Sequence, residues 1–166
     1  MSKYTNFFVT IVTVLAIAIV TSLGIISPAI ALTQEFQLDT ESGYLIKTIF
    51  SYDDTQNPQV IHEQGAGKTQ IVNSMRVNFY QPDGELIASY DNIVAGVAKG
   101  NYFEFNFELE TQQLIGNIDL GGEFAGEMYL KGEAEEELSL IKVEASGTET
   151  VIDRAIANYR SQSQLR

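Results

Sequence analysis

The feature that most constrains the fold is a two-residue rhythm of apolar and polar side chains. From Tyr102 to Glu110, Phe103, Phe105, Phe107 and Leu109 alternate with Glu104, Asn106, Glu108 and Glu110. An α-helix cannot gather that apolar set on one side, whereas a strand puts it all on one face. The segment is therefore predicted to be a strand with one buried and one wet face. The rhythm recurs in Tyr44, Ile46, Thr48, Phe50 and Tyr52, set against Leu45, Lys47, Ile49 and Ser51. It recurs again in Thr69, Ile71, Asn73, Met75, Val77 and Phe79, set against Gln70, Val72, Ser74, Arg76, Asn78 and Tyr80.

Turn residues punctuate these runs. Pro82-Asp83-Gly84, Gly96 with Gly100, Gly121-Gly122 and the stretch from Gly132 to Glu137 each mark a reversal between apolar segments. Asp53 to Gly67, with Asn57-Pro58 inside it, is the longest irregular stretch. The spacing predicts an all-β fold: a single antiparallel up-and-down β-barrel, or a sandwich, of about eight strands. A barrel is preferred because neighbouring strands joined by short connections close easily and leave no sticky edge. In outline this is similar to calycin-type barrels, though the chain has no Gly-x-Trp motif and no tryptophan.

Both ends read differently. Lys3, the apolar run from Phe7 to Ile26, the helix breaker Pro28 and Ala29-Ile30-Ala31 have the form of a signal peptide cleaved after Ala31. The expectation is a secreted or periplasmic β domain over 32–160, or the same domain exported on an uncleaved N-terminal anchor. After signal removal no segment suits a membrane. Near the C-terminus, Thr150-Val151-Ile152-Asp153 has a capping-box pattern, and Ala155, Ile156 and Tyr159 continue at helical spacing. A short helix over about 150–160 is predicted, followed by a polar tail over 161–166.

Composition enters as exclusion. With Cys 0 there is no disulfide, no thiolate-held metal and no thiol nucleophile. One histidine, His62, cannot make a multi-histidine metal site, and it reads as a loop residue. A formal net charge of -12 argues against nucleic acid, whose phosphates need clustered Lys and Arg. Gly65-Ala66-Gly67-Lys68-Thr69 lacks the first glycine of a phosphate loop, that place being His62. His62-Glu63 lacks the second histidine of a zinc-protease helix, since Ala66 stands there. Asp53-Asp54 with Asn57, and the acids from Glu133 to Glu137, offer oxygen atoms to calcium without EF-hand spacing. No cofactor or metal is expected.

What remains is the aromatic face. Phe50, Tyr52, Phe79, Tyr90, Phe103, Phe105, Phe107, Phe124 and Met128 are expected to point inward, with Thr48, Thr69 and Asn73 as polar interruptions. Such a lining either packs solid or holds a small, largely apolar ligand in the interior or mouth. A non-catalytic ligand-binding protein is thus the first functional expectation. The alternative is an envelope or extracellular interaction protein acting through an acidic surface, its protein partner unspecified. A barrel-type isomerase or cyclase is a third. A carboxyl or tyrosine with a shifted pKa in a cavity would favour it.

Overall fold

The structure is a computed structural model that describes residues 31–155. The expected signal segment, Ala31 apart, and the polar tail lie outside the described residues.

The alternating segments form antiparallel strands. In chain order they are β1 (Ala31–Asp39), β2 (Leu45–Asp53), β3 (Val60–Gln64), β4 (Gly67–Lys68), β5 (Val72–Tyr80) and β6 (Leu86–Val94). There follow β7 (Val97–Ala98), β8 (Glu104–Glu108), β9 (Gln113–Leu114), β10 (Asn117–Gly121), β11 (Met128–Glu133), β12 (Glu137–Val143) and β13 (Glu149–Ala155). They build two sheets, one in the order β1-β2-β5-β6-β7-β4 and the other β13-β12-β11-β10-β8-β3, with β9 beside β8.

Two expectations need correction. The sheets do not close into a barrel; the arrangement is sandwich-like, and the order is not up-and-down. After β2 the chain crosses to the far edge of the second sheet as β3, then returns, so that β5 lies beside β2. The stretch expected to be irregular therefore contains a strand, and His62 sits on β3, not in a loop. The C-terminal helix is also absent over the described part of its span. Glu149–Ala155 is strand β13, paired with β12. Thr150, Val151 and Ile152 are β-branched and suit a pleated surface better than a helix turn. Asp153, expected in a capping box, instead accepts the backbone N–H of Ser42 at 2.9 Å. Residues 156–160 lie outside the described residues.

The inner faces of both sheets meet in one core. Phe36 of β1 and Phe50 of β2 pack against Phe105 and Phe107 of β8, with ring centroids 5.1 to 6.2 Å apart across the sheets. All four rings are fully buried, and each such pair contributes about 0.5–1.5 kcal/mol beyond its buried area. The regular alternation of β8 thus resolves as a strand at the centre of the core.

Side chains stitch the sheets together along the margins. Glu63, on the buried face of β3, accepts the N–H groups of Gln70, Ile71 and Val72 at 2.8 to 3.0 Å. One carboxylate therefore satisfies three amides of the segment returning to the first sheet, where β-ladder partners are missing. Asn92 is the extra residue of a bulge in β6, between the pairs Met75–Ile93 and Arg76–Asp91. The bulge turns Asn92 inward beside Ile93. Its amide then donates to the Gly121 carbonyl at 2.7 Å and accepts the Gly121 N–H at 3.0 Å. A side chain here does the work of a ladder partner between β6 and β10. At the other margin Thr40 bridges Ala155.

Candidate functional site

Most residues of the expected aromatic lining are core. Phe50, Tyr52, Phe79, Phe103, Phe105, Phe107 and Met128 are buried. Tyr90 is half-buried, and its hydroxyl accepts the Met128 N–H at 3.1 Å, another tie between the sheets. Thr69 is buried and its hydroxyl donates to the Val72 carbonyl. Two residues do not point inward. Asn73 is the extra residue of a bulge between the pairs Ser51–Ser74 and Tyr52–Val72, which switches the alternation and exposes it. Phe124 is 72% exposed in the turn between β10 and β11.

The chemistry collects on the outer face of the second sheet. Strand register puts Glu104 of β8 opposite Asp119 of β10, and Asp119 opposite Lys131 of β11. One position along, Tyr129 of β11 lies opposite Gly121 and Ile141. Tyr129, Ile141 and Val143 form a small apolar cluster on this face, separate from the main core. Gly121 lies so close to this strand that a Cβ would come within 2.6 Å of the Met128 carbonyl oxygen, and a hollow opens beside the tyrosine ring.

That hollow is a cleft of about 190 Å³ lined by Tyr102, Asp119, Gly122, Glu123, Tyr129, Lys131 and Glu149. Lys131 Nζ lies 3.2 Å from Asp119 Oδ2 and 5.9 Å from the centre of the Tyr129 ring. The Asp119 side chain is only 12% exposed. Burial raises its pKa to about 6; Lys131 pulls the other way, and Glu123 and Glu104 add to the rise. Tyr129 is 5% exposed, and its shielded hydroxyl makes no hydrogen bond of normal geometry. Burial raises its pKa too, and the carboxylates of Glu149 and then Asp119 push it further up. Tyr102 stands over the cleft 71% exposed.

A second polar relay lies on the same face: His62 Nδ1 is hydrogen-bonded to Asn106 Oδ1, and the Asn106 amide donates to the Asn117 carbonyl at 2.6 Å. Among the described residues, no three His, Asp or Glu side chains converge as a metal site would require. The arrangement can accept hydrogen bonds through carboxylates, donate them through Lys131, and present an aromatic face at Tyr102.

Alternation alone pointed away from this cleft. Asp119, Tyr129, Lys131 and Glu149 come from separate segments joined only by register, and outward polar positions on strands ordinarily meet water. The one usable signal was Tyr129, an aromatic residue between Met128 and Leu130 in a run that does not alternate. No family model matches the chain, and neither a curated protein nor a solved structure shows significant similarity to it.

Proposed function

We propose that this chain is an exported, non-catalytic binding module that meets its ligand on the outer face of the second sheet. One observation carries the reading: polar groups withdrawn from water gather in an outside cleft, while the space between the sheets is occupied by Phe36, Phe50, Phe105 and Phe107. A small apolar ligand between the sheets would have to displace close-packed rings, at a cost comparable to that of an overpacked core. Asp119 has the shifted pKa expected of a general acid, but Lys131 already engages it, which suits anchoring better than proton transfer.

Two measurements on the ¹⁵N-labelled protein test the proposal. The apolar fluorophore 1-aminoanthracene should gain no fluorescence, and fractionated extracellular material should shift amide resonances around Tyr102, Asp119, Tyr129 and Lys131. Fluorophore uptake together with shifts at Phe36, Phe50 and Phe105 would return the function to the interior.

A further inference from the structure

The cleft is the middle of a longer groove. A hollow of about 500 Å³ shares Tyr102, Asp119 and Lys131 with it and continues past the amide side chains of Gln64, Asn101 and Asn117. On the other side, a hollow of about 290 Å³ shares Gly122 and Glu123 and runs on past Phe124. Through these shared lining residues the three hollows adjoin, across β8, β10 and β11 and over the margin where Asn92 joins the sheets, and together they make up the furrow.

Two aromatic rings border this furrow with most of their surface in water, an unfavourable placement for a ring that packs against nothing. Neither is carried on slack backbone. The Tyr102 N–H donates to Glu123 Oε1 at 2.7 Å, and the Phe124 N–H donates to Glu127 Oε2 at 2.8 Å. The main chain under each ring is thus held in place before any ligand arrives, which leaves only the ring's own torsions to order on binding. On the floor, Gly122 brings the backbone so close to Glu127 and Tyr90 that a Cβ would approach them to 2.5 and 2.6 Å.

The polar groups of the furrow are mixed in kind. Seven carboxylates and two lysines line the three hollows, so an anion is repelled along most of their length, while Lys131 already holds the central Asp119 carboxylate that a cation would seek. An aliphatic chain would leave the carboxylates and the amides without partners. A ligand with many hydroxyls, each both donor and acceptor, and with flat C–H faces to lay on aromatic rings, satisfies all of these groups. We propose that the furrow binds a neutral linear oligosaccharide, with Tyr102 and Phe124 as stacking platforms and Asp119 and Lys131 as polar anchors. This rests on the reading of the outer face as the binding surface.

The test is calorimetric titration of the purified full chain with cello-, xylo-, manno- and chitohexaose, with polylysine and alginate as charged probes. At least one neutral hexaose should bind with a Kd below about 1 mM. Tyr102→Ala and Phe124→Ala should each weaken that binding about tenfold and leave the melting temperature unchanged. If no neutral hexaose binds, or if neither substitution weakens binding, the oligosaccharide assignment is wrong. Polylysine binding that Glu149→Gln abolishes and Tyr102→Ala spares would overturn it too, yet leave the outer face as a binding surface. Failure of every probe, with groove resonances unmoved by extracellular fractions, would overturn both readings.

Discussion

The space between the sheets and the furrow outside the second sheet are built on opposite terms. Between the sheets, four phenylalanines from β1, β2 and β8 stack or meet edge to face, and their contacts are complete. In the furrow, a carboxyl is held mostly out of water, a hydroxyl lacks a hydrogen bond, and two rings stand in solvent. The first region carries one such cost, the buried hydroxyl of Thr48 opposite Phe36, which has no hydrogen-bond partner among the described residues. The second carries costs that stability alone does not explain, and a ligand would offset them.

The sharpest way to break this contrast is to open the core. Phe105→Ala should cost about 3–5 kcal/mol, since the cavity would lie under Phe36 and Phe50. Denaturant unfolding measures it. Any protein that remains folded should still bind through the furrow with unchanged affinity. A loss of binding at temperatures where circular dichroism reports a native fold would mean that the two regions are not separate.

A smaller effect belongs to the join between the sheets. Glu63→Gln leaves one carbonyl oxygen where a carboxylate served Gln70, Ile71 and Val72. Hydrogen bonds to a charged group contribute about 1.5–3 kcal/mol, so a loss of about 2–3 kcal/mol is expected. Hydrogen exchange should show it first in the amides of 70–72. If those amides keep their protection, the carboxylate is not what holds the segment.

These two positions also show how far the sequence could be read. Phe105 was legible because period two is a property of neighbours along the chain, and β8 keeps it without interruption. Glu63 was not, because its partners lie seven to nine residues ahead across a crossover, and a lone carboxylate looks the same whether it faces water or three amides. Asn73 and Asn92 show a further limit. Each is the additional residue of a bulge, and a one-residue insertion reverses which face every following side chain takes. Closure is likewise a matter of distant pairing. Strands of barrel and sandwich alternate alike, and the crossover that puts β3 beside β8 left no periodic trace. The candidate site suffers most, since register alone assembles it.

The Asp119 carboxyl gives the contrast a pH signature. Its folded pKa, about 6, lies above the 3.8 of an unperturbed aspartate, so the folded state holds the proton more tightly than the unfolded chain. The unfolded chain loses that proton near pH 4 and the folded protein near pH 6. Stability from this group therefore falls as pH rises from 4 to 6 and stays reduced above. Ionising the carboxyl in the folded protein costs up to about 3 kcal/mol, and discounting for partial exposure leaves about 1–2 kcal/mol. Asp119→Asn should stabilise the protein by that amount at pH 7 and flatten its pH profile between 4 and 6. An unchanged profile would mean that solvent already reaches the carboxylate.

Tyr129→Phe gives the smallest change in stability and the most direct comparison. A hydroxyl shielded from water without a hydrogen bond loses its hydration on folding and regains nothing. Its removal should leave stability unchanged or raise it by less than about 1 kcal/mol, because the ring and its contacts with Ile141 and Val143 remain. Affinity for the ligand should stay unchanged, since a hydroxyl shielded from water presents no surface to the furrow. A fall in affinity would show that the hydroxyl turns toward the ligand on binding. A loss of stability would instead mean that Glu149 already satisfies the hydroxyl, which would make it part of the scaffold.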